Sequence, residues 1–127
     1  MKGKHQESTH KFILLLKLDA ERLLTRIIRR YSEYMATFSL KRTREHFKEI
    51  FFSQYEDTNL KDFLPLAEET LIVIHQFYEE INDLKWYLNQ TQDMPATVED
   101  NVQRRIKKLE KLYTNLNLML TAEMGIH

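Results

Sequence analysis

The stretch from Asp62 to Gln90, DFLPLAEETLIVIHQFYEEINDLKWYLNQ, constrains the fold more than any other part of the chain. Read at helical spacing, Leu64, Ala67, Leu71, Ile74, Tyr78 and Ile81 form one apolar stripe. Leu66, Val73, Phe77 and Leu84 form a second, interrupted by Thr70 and Glu80. Together they cover more of a helix than one neighbour can bury. A helix with partners on two sides belongs inside a bundle.

Composition agrees. Gly and Pro occur twice each in 127 residues, which leaves little turn chemistry for a sheet, and helix formers dominate. The chain is long enough to bury one core without staples. Absence of Cys excludes a disulfide framework, a thiolate nucleophile and a cysteine metal site, and suits a reducing compartment. The densest apolar run, Phe12 to Leu16, is far short of the ~20 residues of a membrane span. Lys17 and Asp19 cut it short and no small-residue cleavage site follows, so the chain reads as mature and cytoplasmic.

The fold class expected is all-α, an antiparallel up-down-up-down four-helix bundle. Residues 1–9 lack apolar periodicity and are expected to be a flexible tail. Residues 10–127 form the domain, with helices over about 10–38, 40–54, 62–90 and 98–124, the second one short. The first carries the seam Ile13, Leu16, Ala20, Leu24, Ile27, Tyr31, Tyr34, Phe38. Pro65 fits the first turn of the third helix, Pro95 separates the third from the fourth, and Gly125 is a good stop for the fourth. Thr97 with Asp100 resembles a capping box.

Facing residues in an antiparallel hairpin have a constant number sum. For the last two helices this pairs Ala67–Leu120, Leu71–Leu116, Ile74–Tyr113, Tyr78–Leu109 and Ile81–Ile106, all apolar, and sets Glu80 against Lys107, Glu79 against Lys108 and Asp83 against Arg104. The first two helices pair Tyr31–Phe47, Ile27–Phe51 and Ile28–Ile50, with Arg29 beside Glu49. Charge is segregated along the chain. Residues 1–54 hold twelve Lys/Arg and six Asp/Glu, residues 55–101 two and eleven, residues 102–127 five and two. An acidic middle between basic flanks can neutralise itself within the fold.

Chemistry finds little support. The one Glu-x-x-His, Glu7 to His10, lies in the expected tail. His75 with Glu79 and His46 with Glu49 are isolated couples, whereas a di-iron bundle needs matched units on facing helices. No Ser is flanked by Gly, and Gly3 and Gly125 cannot build a phosphate loop. No catalytic, cofactor-binding or metal site is therefore expected, nor a small-molecule substrate.

What remains is surface. The short second helix leaves the N-terminal half of the first without a full neighbour, where Phe12 to Leu18 are apolar around nearly the whole circumference. Such a patch marks a protein interface unless the 55–61 loop, Leu60 and Phe63 cover it. The expected function is a non-enzymatic protein–protein interaction module, an adaptor, chaperone or regulator, self-associating as a homodimer. Its interface residues are Phe12, Ile13, Leu15 and Leu16, with Trp86 as a further anchor. The other reading of Trp86 is that it caps the bundle end over 91–97. The alternative function is a nucleic-acid accessory role for a basic face of Arg22, Arg26, Arg29, Arg30, Lys41, Arg42, Arg44 and Lys48. Zero net charge and the interruptions at Glu33, Glu45 and Glu49 weigh against it.

Overall fold

The computed structural model describes the backbone of residues 3–126 and the side chains from Glu7 onward. Among the described residues there are five α-helices and no strand: α1 (Gly3–Arg29), α2 (Tyr31–Ser39), α3 (Phe47–Ile50), α4 (Glu68–Gln90) and α5 (Pro95–Ile126). Two 3-10 turns, Gln54–Asp57 and Leu60–Phe63, lie between α3 and α4. No helix among the described residues is long and apolar enough to cross a membrane.

α5 is the central rod, packed along α4 on one side and along α1 and α2 on the other. It runs antiparallel to both. Gln103 near its start donates to the Tyr31 hydroxyl, and Thr121 near its end accepts from Lys17. The core is continuous, from Ile13, Leu16, Leu23 and Ile27 of α1 through Phe77, Ile81 and Leu84 of α4 to Val102, Leu109 and Leu116 of α5.

α1 and α2 together make the expected first rod, with a bend at Arg30 (φ −93°, ψ 13°). Tyr34 explains it. Its buried hydroxyl donates to the Ile27 carbonyl at 2.9 Å, inserting a side chain into the helical ladder, a recognised cause of kinks. The rod starts earlier than expected. The backbone is helical from Gly3, so the tail assigned to 1–9 is mostly helix, and Thr9 is buried beside the seam. Met1, Lys2 and His127 lie outside the described residues.

The expected helix over 40–54 shrinks to the single turn of α3. α2 ends at Ser39 with Leu40 as its cap; Lys41, next along, adopts the left-handed conformation (φ 54°), while the Arg42 amide reaches back to the Thr37 carbonyl. This is a Schellman closure with Lys in the place usually held by Gly. Residues 41–46 are polar, and no apolar side chain among them pins a further turn. A short helix without tertiary anchorage is marginal. Phe47, Ile50 and Phe51 supply anchors and are buried, so only their turn is helical. Arg26 caps it from α1, its guanidinium donating to the carbonyls of Ile50 and Phe52.

α4 begins at Glu68 rather than at 62. Its N-terminus is capped from outside: the buried carboxylate of Glu123, on α5, accepts from the Ala67 amide at 3.1 Å and from the Thr70 hydroxyl at 3.2 Å. A carboxylate also suits the positive end of a helix dipole. α5 starts on Pro95 itself, the N1 position where a missing N–H costs nothing, so Thr97 and Asp100 lie inside the helix and cap nothing. Gly125 does not stop it.

The α4–α5 hairpin has the expected sense but a slightly different register. Glu80 pairs with Lys108 (3.0 Å) and lies 3.8 Å from Arg105, instead of meeting Lys107. Glu80 is buried and its carboxylate draws both cations, whereas Glu79 and Asp83 are exposed. Tyr113 packs on Phe77 rather than only on the Ile74 row.

Candidate partner-binding groove

The segment from Phe51 to Leu66 crosses the molecule as a strap, and one carboxylate fastens it. Asp19 accepts hydrogen bonds from the Ser53 hydroxyl (2.7 Å), the Gln54 amide (2.9 Å) and the Tyr78 hydroxyl (2.7 Å). α1, the strap and α4 therefore meet at a single side chain. Tyr55 stacks flat on Tyr78, with ring centres 3.9 Å apart and planes 7° from parallel. Phe63 meets Phe12 edge-on at 4.9 Å. Burial, and then the neighbouring Asp19, push the Tyr78 hydroxyl far above the usual tyrosine range, so it stays a donor.

Between α1 and the fastened strap lies a groove of about 330 Å³. Phe12, Leu15, Leu16, Phe52 and Tyr55 give it an apolar floor, and Asp19, Asp57 and Asp62 line it with carboxylates and no cation. Leu15 is 59% exposed and Phe52 57%. Single exposed hydrophobics are ordinary, but two large ones opening on one apolar groove form a contiguous patch of the kind that marks an interaction site.

Of the residues expected at an interface, only some are accessible. Ile13 (0% exposed) and Leu16 (4%) belong to the core, which corrects the assignment of Ile13 as an interface residue, while Leu16 shows only an edge in the groove floor. They continue through Ala20, Leu23 and Ile27 at helical spacing and face α5. Phe12 is half covered by Phe63, so the strap does part of the covering, although Leu60 stays exposed. Leu15 points away from the seam and remains available. Trp86 is exposed, eight residues beyond Tyr78 on α4 and so about 12 Å further along. It does not line the groove, and it does not cap the bundle end. Tyr87 does that, donating to Asp93 at 2.8 Å with Arg105 5.2 Å over its ring.

The basic face divides. Arg22, Arg29, Lys41, Arg42 and Lys48 are exposed. Arg26 is spent on α3. Arg30 forms a two-pronged pair with Glu33 at 2.7 Å, which lowers the carboxyl's pKa and raises that of the guanidinium. Arg44 lies 4.8 Å over the Phe38 ring and donates to the carbonyls of Leu88 and Asn89, capping the end of α4. Three of the eight cations are thus structural. His75 is exposed beside Glu79, and His46 lies 4.9 Å from the Phe47 ring. Among the described residues no three His, Cys, Asp or Glu side chains are grouped to hold a metal ion.

Phe52, Tyr55, Asp57 and Asp62 escape a reading of periodicity because they sit outside regular helix. Asp19 and Glu123 had a signal: each is an acid within or beside an apolar seam, where a carboxylate needs donors. No family model, no curated protein and no solved structure matches this chain.

Proposed function

We propose that the protein is a non-enzymatic interaction module that binds a protein partner through the groove between α1 and the strap. One observation carries this: Leu15 and Phe52, each more than half exposed, share one groove on a frame fastened by Asp19. A preformed apolar site loses little conformational freedom on binding. The architecture belonging to this reading is an up-down-up-down bundle in which the strap takes the second, descending position. A cysteine-free chain suits a reducing compartment, and we place the activity in the cytoplasm. The basic face has the weaker claim, because Arg26, Arg30 and Arg44 serve the fold.

The test is a photo-activated cross-linking residue at position 15, in the full chain expressed in its own cells, compared with the same residue at exposed position 72 of α4. A discrete protein adduct from position 15 that is lost with Phe52→Asp supports the groove. Adducts no stronger than from position 72 overturn it.

A further inference from the structure

The groove is of one sign. Asp19, Asp57 and Asp62 line it, and no Lys or Arg does. Asp57 and Asp62 are exposed, and each stands on a 3-10 turn capped at its start, by Ser53 accepting from the Tyr55 amide and by Asn59 accepting from the Lys61 amide. Among the described residues the ion pairs are Arg30 with Glu33 and Glu80 with Arg105 and Lys108, so neither Asp57 nor Asp62 has a paired cation. Lys61, next to Asp62, is exposed and does not line the groove. Asp19 is held by three neutral donors, which orient its carboxylate without supplying a counter-charge. Past Phe52 the surface mixes signs, with Arg22 beside Glu21 and Lys48 beside Glu49. Carboxylates around an apolar concavity reinforce one another's field. They favour a cation there and repel a phosphate backbone or an anionic membrane face.

The floor makes a second demand. Leu15 and the Phe52 ring, each more than half exposed, need an apolar cover, and Tyr55 adds another aromatic side chain to the lining. An arginine meets both demands: its planar fork pairs with a carboxylate while its face lies on an aromatic ring, and it sheds water more readily than an ammonium. We propose that the partner presents a basic amphipathic segment, which lays a large apolar side chain on Leu15 and Phe52 and an adjacent arginine between the aromatic lining and the carboxylates of Asp57 and Asp62. This inference rests on the groove being a binding surface.

Fluorescence anisotropy of the full chain tests it with a labelled amphipathic peptide whose leucine stripe is flanked by arginines, beside the same peptide with lysine or glutamate in place of arginine. The arginine peptide is expected to bind, more weakly as salt rises. The lysine peptide should bind several-fold more weakly, and the glutamate peptide more weakly still. The variant Asp57→Asn/Asp62→Asn changes two exposed positions, so it folds, which circular dichroism checks. It should lose about tenfold or more in affinity for the arginine peptide. A lysine or glutamate peptide that binds as tightly overturns the proposal. So does an arginine peptide that fails to bind, or that binds wild type and variant alike, and so does a chain whose Leu15 face is instead closed by self-association in sedimentation. Cross-linking from position 15 separates this from the groove itself. An adduct that survives Asp57→Asn/Asp62→Asn leaves the groove standing and removes the basic segment; absence of both adduct and peptide binding removes both.

Discussion

Asp19→Ala is the sharpest test of how the strap is held. The carboxylate accepts three hydrogen bonds, and the substitution strands their donors unequally. The Gln54 amide belongs to an exposed residue and can turn to water. The Ser53 hydroxyl (residue 7% exposed) and that of Tyr78 (3%) cannot do so freely. Leaving a buried donor unsatisfied costs about 1–3 kcal/mol. Two such donors, softened by local relaxation, give an expected loss of about 3–4 kcal/mol. For a domain of this size that lowers the melting temperature by roughly 10–15 °C. Urea unfolding followed by circular dichroism measures it. Combining the change with Tyr78→Phe isolates one contact, and the two should couple by about 1 kcal/mol or more. A loss below about 1 kcal/mol with no coupling would refute the claim that Asp19 fastens the strap, and the groove would lose its rigid wall.

Other consequences follow from the capping and burial. Lys41→Gly should stabilise the protein by about 0.5–1 kcal/mol in chemical unfolding, because a left-handed residue with a Cβ is strained there. Glu123→Ala should cost about 2–3 kcal/mol, since it uncaps α4 and leaves a buried hydroxyl at Thr70. The hydroxyls of Tyr34 and Tyr78 are held neutral, chiefly by burial, with pKa values raised above the unfolded value near 10. The neutral form is the one the fold favours, so this stability is complete below pH ~10 and is lost as pH rises above it, by about 1 kcal/mol per pH unit for each tyrosine. Thermal melts across the alkaline range should show that slope, and Tyr78→Phe should reduce it.

The sequence made the long rods legible because their information is local and periodic. The stripes from Leu71 to Leu84 and the seam on 13–27 identify which faces are buried, and the complementary charges of α4 and α5 identify their pairing to within about a turn; the expected start of the first stripe fails, since Leu64 is 77% exposed and both it and Ala67 precede α4. The strap was not legible. Residues 40–54 contain good helix formers, and propensity alone cannot show that Lys41 turns left-handed or that Arg26 and Arg44 reach across to carbonyls of other segments. Those contacts are non-local, and they outweigh propensity where no apolar side chain pins a helix. The candidate site was half legible for the same reason. Phe12 to Leu18 stood out as over-apolar, but its division into core and surface depends on what lies opposite. Ile13 and Leu16 belong to the core, Phe12 meets the strap, and Leu15 stays 59% exposed.

That division is open to a direct measurement. Leu15→Gln can be compared with wild type for both unfolding free energy and affinity for the arginine peptide. With Leu15 a binding residue, stability should stay within about 0.5 kcal/mol of wild type while that affinity weakens about tenfold or more. Loss of several kcal/mol with no change in affinity would make Leu15 core like its neighbour Leu16, and would contradict the groove as the functional surface.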